Sequence, residues 1–211
     1  SLINFWIYGF SSICLLILIN PFIGLFFGNE YILSMSIVFI LVLNFYIIGM
    51  RKSNLTFNDA LGLYWYDRYK PIAESILKIL ISFLLVKKYQ VFGILLGTTI
   101  STISTCFWIE PYILYKYGLK ISIKRYYSKY FLYSIVLILA GGLTWLISNL
   151  FNGDVLVSLV LKLLTCIITP NIVFVVFFIK SEEVVHLYNI FRNIVYRKYH
   201  TSTEKGELLN D

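Results

Sequence analysis

Apolar residues occur along this chain in six long runs that are separated by short polar breaks. A bilayer hydrocarbon core about 30 Å thick requires about 20 apolar residues per helix, so a run of this length predicts a membrane-spanning helix. We therefore predict an all-α integral membrane protein in which residues 1–180 form one bundle of six transmembrane helices. The predicted spans are residues 2–27, 31–50, 71–89, 91–115, 130–150 and 155–179.

The basic residues are distributed unequally between the two sides of such a bundle. Since the chain reverses at each span, the connections 51–70 and 116–129 and the segment after residue 179 share one side, with fourteen of the 18 Lys and Arg residues. The opposite side has Lys87 and Lys88, and Lys78 and Lys162 lie inside spans. Because basic loops stay cytoplasmic, this asymmetry predicts that both termini are cytoplasmic.

The residues after the last span predict a different kind of element. Val184, Leu187, Tyr188 and Phe191 recur at helical spacing, which is typical of an amphipathic helix on a membrane surface. We predict such a helix at residues 181–200 on the cytoplasmic side, with a short frayed tail as the alternative. Residues 201–211 are predicted to be disordered.

The composition excludes an ordinary soluble protein. Hydrophobic residues make up 59% of the chain and charged residues 14%, whereas a soluble domain has about 25% charged residues. The net charge of +7 belongs to the predicted cytoplasmic connections, so it does not indicate a nucleic-acid partner. Cys14, Cys106 and Cys166 are isolated within apolar runs, which predicts free thiols rather than a disulfide framework or a metal site.

No arrangement of residues in the sequence indicates catalysis. The predicted outer connections, residues 28–30, 87–90 and 151–154, are too short to hold the active site of a polysaccharide polymerase or ligase. A membrane O-acyltransferase would need a histidine at membrane depth, whereas His186 and His200 lie in the tail. The sequence also has no Gly-rich phosphate loop and no G-x-S-x-G motif. We therefore predict a protein that is not an enzyme and that has no cofactor.

Three ionisable residues inside the predicted spans are candidates for function, because a charge in lipid is costly unless it faces a cavity or a partner. Glu74 and Lys78 are four residues apart on one helical face, so they either neutralise each other or face a transport cavity. Lys162 either extends to the outer headgroups or faces such a cavity. The sequence leaves both alternatives open for each.

Small residues and prolines inside the spans have an ordinary and a functional interpretation. Gly93, Gly97 and Ser101 form a stripe on one face of the fourth span, which favours close helix packing or, alternatively, the lining of a lateral gate. Pro21 and Pro170 each remove a backbone donor within a span, so each produces either a static kink or a hinge.

Several runs of residues are similar to those of a known family. The runs are Asn20-Pro21-Phe22-Ile23 with Phe27-Gly28, NFYIIGMR from Asn44 to Arg51, GLYWYDRYKP from Gly62 to Pro71, Gly93 to Ser101, and Trp108-Ile109-Glu110-Pro111. Together they resemble bacterial Wzx-type polysaccharide repeat-unit flippases of the multidrug/oligosaccharidyl-lipid/polysaccharide flippase superfamily. The resemblance covers most of the chain and implies the C-terminal lobe of a MATE-like flippase built from two six-helix lobes.

The resemblance implies that the protein flips an undecaprenyl-diphosphate-linked oligosaccharide across the bacterial cytoplasmic membrane by alternating access, for O-antigen or capsule export. Lipid does not solvate the charge of a diphosphate, so we hypothesise that Arg68, Lys78 and Lys162 bind it in turn. Glu74 is the candidate for coupling an ion or proton to the cycle. The implied partners are membrane lipids, an N-terminal lobe missing from this chain and polysaccharide assembly proteins, without nucleic acid.

Two alternatives stay open beside this function. A non-transporting membrane scaffold or remnant half-lobe would bind lipid or partner proteins without moving a cargo. A flippase for a related lipid-linked cell-wall precursor would use the same chemistry on another saccharide. An upstream reading frame that encodes six further spans would favour transport over a scaffold.

Overall fold

The computed structural model describes residues 2–151, 153, 155–181, 183–185 and 192. Among these residues the chain forms helices and turns without any strand, which confirms the prediction of an all-helical protein for this part. The helices are α1 (Leu2–Phe26), α2 (Met35–Ala60), α3 (Tyr64–Asp67), α4 (Lys70–Ser104), α5 (Cys106–Ile113), α6 (Lys124–Ser148) and α7 (Val155–Phe178). A 3-10 turn lies at Asn29–Tyr31 and a π-helical turn at Leu114–Gly118.

Five helical segments in the described part of the chain are long and apolar enough to cross a membrane, which supports a multi-pass membrane protein. They are Leu2–Phe26, Met35–Ala60, Tyr64–Gly118, Lys124–Ser148 and Val155–Phe178. The third segment has 55 residues and contains both the third and the fourth predicted spans. The number is therefore five, where the hydrophobic pattern predicts six separate spans.

Helix α4 reverses direction at Gln90, so that its first arm (residues 70–89) packs against its second arm (residues 91–104). Gln90 has φ 48° and ψ −129°, a conformation that residues with a Cβ atom rarely adopt. The Ser82 hydroxyl donates to the carbonyl oxygen of Ile94 at 3.4 Å. In a straight helix these residues would be about 18 Å apart, so the contact shows that the two arms are antiparallel.

Glycines allow the two arms to approach closely. A Cβ atom on Gly93 would lie 2.5 Å from the carbonyl oxygen of Leu85, and one on Gly97 would lie 2.9 Å from the backbone nitrogen of Ser82. Both glycines are buried. The arms therefore pack with their backbones in contact, as small residues permit between membrane helices.

Contacts between the helices also show their directions. α1 is antiparallel to α2 and to α7 but parallel to α6. α2 is parallel to the second arm and to α5, which follows this arm in the chain. The contacting pairs are Asn4–Gly49 and Asn20–Leu33 for α1 and α2, Phe5–Tyr133 and Ile13–Gly141 for α1 and α6, Trp6–Asn171 and Cys14–Cys166 for α1 and α7, and Asn44–Leu95 and Arg51–Glu110 for α2 and the second arm with α5. Successive long segments therefore alternate in direction when the two arms are considered separately.

Helix α2 extends well beyond residue 50, where the apolar run ends. The extension to Ala60 contains Asn54 and Asn58, which are both buried. The Asn54 amide donates to the hydroxyl of Tyr126 at 3.0 Å, and thereby joins α2 to the start of α6. Much of the predicted connection 51–70 is thus helical, and Asn54 and Asn58 on this extension are covered by protein.

The chain divides into two compact units, Ser1–Asn171 and Ile172–Asp211. In the second unit the described residues are 172–181, 183–185 and 192, which include the last turns of α7. Most of the amphipathic helix predicted at 181–200, and all of the tail predicted at 201–211, lie outside the described residues.

Candidate functional site

The two arms of α4 form a hairpin with Gln90 at its tip, and five charged side chains meet at the opposite end. These side chains lie on α2, α3, the first arm and α5. The fold brings these elements together because both arms run beside α2. We call this cluster the ion-pair network. Its members are Arg51, Asp67, Lys70, Glu74 and Glu110.

Arg51 connects two carboxylates that lie on different helices. Its Nε donates to Oε1 of Glu110 at 3.1 Å, and its Nη2 donates to the same oxygen at 2.6 Å. Its Nη1 donates to Oε1 of Glu74 at 3.0 Å. The planar guanidinium suits such multiple contacts with carboxylates, and a single point charge would not reproduce them. Arg51, which lies on α2, therefore connects this helix to both the first arm and α5.

Glu110 is the most deeply buried member of the network, with 0% of its side chain exposed. It accepts a hydrogen bond from Nζ of Lys70 at 2.9 Å in addition to those from Arg51. Lys70 also forms an ion pair with Asp67, three residues earlier in the chain. A buried carboxylate is strongly unfavourable unless it is paired and hydrogen-bonded, and two cations fulfil this requirement for Glu110.

Glu74 is the most exposed carboxylate of the network, with 23% of its side chain exposed against 17% for Asp67. The hydroxyl of Thr102 donates to it at 3.2 Å, and the thiol of Cys106 donates at 2.9 Å. Because these donors lie on the second arm and on α5, Glu74 joins the two arms of the hairpin at their base.

The charges of the network are not balanced when all five groups are ionised, because three carboxylates face two cations. One proton or one monovalent cation would make the network neutral. Oδ1 of Asp67 is buried and accepts no hydrogen bond from the described residues. In the same part of the chain, no group of three or more His, Cys, Asp and Glu side chains could hold a metal ion.

A second buried polar contact joins α2 to the second arm. The Asn44 amide donates to the carbonyl oxygen of Leu95 at 3.0 Å and accepts from the hydroxyl of Thr99 at 2.8 Å. Asn44 and Thr99 are both buried. This contact joins α2 to the second arm, and the contact of Arg51 with Glu110 joins α2 to α5.

The structure arranges Glu74 and Lys78 differently from the pairing that their spacing allows. The carboxylate of Glu74 pairs with Arg51, and Lys78 has no hydrogen bond or ion pair within the described residues. Of the two alternatives for Glu74 and Lys78, mutual neutralisation is therefore not observed, and a transport cavity stays a prediction. Lys78 is exposed and lies about 12 Å along the first arm from Lys70.

Arg68 and Lys162 lie at other places on the bundle. The guanidinium of Arg68 lies over the rings of Trp65 and Tyr69, at 3.9 and 4.6 Å from their centroids. Lys162 is partly exposed and lines a cleft of about 540 Å³ near the start of α7. In the part of the chain that the structure describes, no contact joins Arg68, Lys78 and Lys162, so the three candidate cations are not brought together.

The small residues and prolines are found in ordinary structural positions. Gly93 and Gly97 lie at the contact between the arms, and Ser101 is buried one turn further along the second arm. Close packing is therefore their observed role, and the gate stays a prediction. Pro21 and Pro170 lie within α1 and α7, each of which is a continuous helix, and the hinges stay predictions too.

Arg51 and Glu110 are functional candidates that the sequence-based prediction missed. Glu110 lies inside the predicted span 91–115, so the argument that singled out Glu74 applies to it equally. Arg51 directly follows the predicted span 31–50 and was assigned to a connection. The sequence therefore contained a signal for each residue, a carboxylate within a span for Glu110 and a cation at the end of a span for Arg51. It contained no indication that the two residues pair.

In the comparisons with known proteins, no family model, no curated protein and no solved structure matches this chain. The resemblance to polysaccharide flippases therefore rests on the residue runs given above.

Proposed function

We propose that this chain is a six-crossing lobe of a transporter that moves an undecaprenyl-diphosphate-linked oligosaccharide across the bacterial cytoplasmic membrane. The observation that carries the proposal is Lys78, an exposed ammonium group about 12 Å along an apolar arm, beside a carboxylate that is already paired with Arg51. A cation at this depth is unfavourable against lipid, so it requires an aqueous cavity or an anionic ligand. The diphosphate of the cargo is such an anion.

The hairpin supports the topology of this proposal. The first arm, residues 70–89, is about 30 Å long, which equals the thickness of the hydrocarbon core. When each arm crosses the bilayer once, Lys87 and Lys88 lie at the tip on one side. Arg51 and Lys52 of α2, Lys116 in the turn after α5, and Lys124 at the start of α6 lie on the other side. The positive-inside rule then assigns both termini to the cytoplasm.

The diphosphate path of the proposal contains cations at three levels. Arg68 lies before the first arm at the cytoplasmic end, Lys78 lies within this arm, and Lys162 lies near the outer end of α7. Since no contact joins these side chains among the residues that the structure describes, a second lobe completes the proposed path, and the two lobes open alternately to each side.

Replacing Lys78 or Lys162 by glutamine in the full-length protein is expected to reduce polysaccharide export. A charge-assisted hydrogen bond contributes about 1.5–3 kcal/mol, so its loss lowers export about tenfold to a hundredfold. Lys88→Gln is the matched control, because Lys88 is exposed at the tip of the hairpin beside Tyr89. The measurement is surface polysaccharide at equal amounts of protein in the membrane. Normal export by both variants would exclude these lysines from the path.

Replacing Glu74 by glutamine is expected to remove the dependence of export on an imposed proton or sodium gradient. Glu74 is the most exposed carboxylate of a network that carries one excess negative charge, so it is best placed to take up the coupling ion. Asp59→Asn, at an exposed position near the end of α2, is the control. Initial export rates are compared across gradients in membrane vesicles. An unchanged gradient response in Glu74→Gln would rule out this role.

The ion-pair network favours one alternative, a lobe that is held in a single conformation and does not transport. Four residues of the network are fixed by at least two contacts each, as a static scaffold requires. Membrane vesicles with the full-length protein distinguish the two: movement of a fluorescent lipid-linked saccharide supports transport, and its retention in one leaflet supports a scaffold. The same assay tests whether the cargo is a related lipid-linked cell-wall precursor. Faster movement of this precursor than of the polysaccharide repeat unit would identify it as the preferred cargo.

A further inference from the structure

A crevice between α2 and α6 lies on the opposite face of α2 from the hairpin. The two helices are in contact near the start of α6, through Asn54 with Tyr126 and Tyr46 with Tyr130. Towards the start of α2 they diverge, and α1 forms the floor between them. The resulting cavity has a volume of about 520 Å³, within the range of about 300–1,000 Å³ that is typical of small-molecule sites.

The crevice opens sideways, in the direction that faces lipid in a membrane-spanning bundle. Met35 and Phe39 on α2, and Ile138 and Trp145 on α6, line it and are exposed. Its lining consists almost entirely of carbon atoms. Water is unfavourable in such a space, so a hydrocarbon chain is the appropriate occupant.

The length of the crevice indicates which hydrocarbon chain fits. Its walls extend from Met35 to Tyr46 on α2 and from Ser134 to Trp145 on α6, which is about 16 Å along each helix. This is about half of a hydrocarbon core about 30 Å thick, and it lies in the middle part of the predicted spans 31–50 and 130–150. A phospholipid acyl chain has this length, whereas a polyprenyl chain of many isoprene units exceeds it. Trp145 lies at the wide end, five residues from the end of its predicted span, where its indole is suited to lie towards the headgroups.

Two consecutive glycines on α6 provide independent support for a ligand. A Cβ atom on Gly142 would meet no atom within 4 Å, and one on Gly141 would meet only ordinary contacts, the nearest being Cγ1 of Ile13 at 3.7 Å. Unlike Gly93 at the contact between the arms, these glycines are not required for helix packing. A glycine inside a helix is less favourable than an alanine by about 1 kcal/mol. The space that the missing side chains of these two glycines leave open is part of the crevice.

We infer that the crevice between α2 and α6 is a binding site for one acyl chain of a bilayer phospholipid, whose headgroup lies beside Trp145. The acyl chain extends past the middle of the bilayer to Tyr46 and Ser134, which lie four residues from the cytoplasmic ends of the predicted spans 31–50 and 130–150. This inference does not depend on the identity of the transported molecule.

The experiment uses the full-length protein in vesicles of phosphatidylethanolamine and phosphatidylglycerol with a trace of phosphatidylcholine that carries a diazirine at the end of one acyl chain. After irradiation, mass spectrometry is expected to find adducts concentrated around Tyr46 and Ser134. Gly142→Leu should lower the adduct yield about tenfold, because its side chain displaces roughly two methylene groups of the bound chain. Leu139→Phe is the control, since Leu139 is exposed at a similar depth outside the crevice and its replacement should leave the yield unchanged.

A second variant separates an acyl chain from a polar ligand. Ser12 lies on the floor of the crevice, 3% exposed, and its hydroxyl has no hydrogen-bond partner among the described residues. Ser12→Ala should preserve or raise the adduct yield, whereas a ligand held by this hydroxyl would be lost. Adducts spread evenly over all outward faces of the wild-type protein would overturn the inference, as would preferential labelling of the crevice by a diazirine polyprenyl phosphate. The wild-type adduct map decides the matter even when Gly142→Leu does not fold.

Discussion

The Glu110→Ala variant is expected to be destabilised by about 3–6 kcal/mol, because two sets of hydrogen bonds between charged groups are lost and each contributes about 1.5–3 kcal/mol. The substitution removes the carboxylate that Arg51 and Lys70 share, while Arg51 keeps Glu74 and Lys70 keeps Asp67. The measurement is the free energy of unfolding in detergent micelles, from denaturant titration of the helical circular dichroism signal. Glu30→Ala, which removes an exposed carboxylate between α1 and α2, is the matched control and should change this free energy by less than about 0.5 kcal/mol.

Glu110→Gln tests whether the loss in Glu110→Ala comes from the missing hydrogen-bond acceptor. This variant keeps the shape of the side chain and one carbonyl oxygen, while Arg51 keeps Glu74 and Lys70 keeps Asp67. We expect it to be more stable than Glu110→Ala, because the carboxamide oxygen still accepts from Arg51 or Lys70. Equal stability of Glu110→Ala and Glu30→Ala would show that the network is hydrated and contributes little.

The second large effect is expected for Gly93→Ala, which should destabilise the protein by about 3 kcal/mol, the upper part of the range for overpacking. The new methyl group would lie 2.5 Å from the carbonyl oxygen of Leu85, so the backbones of the two arms have to separate. Gly142→Ala is the control with the same chemical change, where the methyl group meets nothing within 4 Å. There the better helix propensity of alanine should stabilise the protein by up to about 1 kcal/mol.

The two glycine variants are thus expected to have opposite signs in the same unfolding measurement. Gly93→Ala at wild-type stability would contradict the close packing of the arms, because a rigid carbonyl group cannot accommodate the methyl group. Loss of stability in Gly142→Ala would instead indicate that the crevice is closed in the folded protein.

Hydrophobic patterning predicted the elements whose bounds depend on local apolar length. The runs at 2–27 and 155–179 agree closely with α1 (Leu2–Phe26) and α7 (Val155–Phe178). The extension of α2 beyond residue 50 was not predictable in this way, since Asn54 is buried by Tyr126, a residue far away in the sequence. Periodicity reports which residues avoid water, but it does not report which polar residues find partners in the fold.

The candidate site was predicted only in part, for a related reason. Intramembrane charge drew attention to Glu74, but the nearest opposite charge in sequence, Lys78, is not its ion-pair partner. Arg51 and Glu110 reach Glu74 and one another only because the hairpin folds back beside α2. The reversal itself depends on Gln90, which has no sequence signature of a turn, because a glycine is the usual residue at such a φ angle. Four residues of the ion-pair network, Arg51, Asp67, Lys70 and Glu110, lie within the residue runs that carry the family resemblance.

The reversal at Gln90 has a consequence for the biogenesis of the protein. In the proposed topology, the ribosome completes the first arm and Lys87 and Lys88 before the second arm exists. Translocating a lysine through the bilayer centre costs about 2.5–3.5 kcal/mol on insertion scales, and two together would oppose threading of the first arm alone. The apolar surface of both arms offsets this cost when they leave the translocon as a pair. Nascent chains that stop shortly after Lys88 should therefore remain uninserted, whereas those extending through Ser104 should partition into lipid.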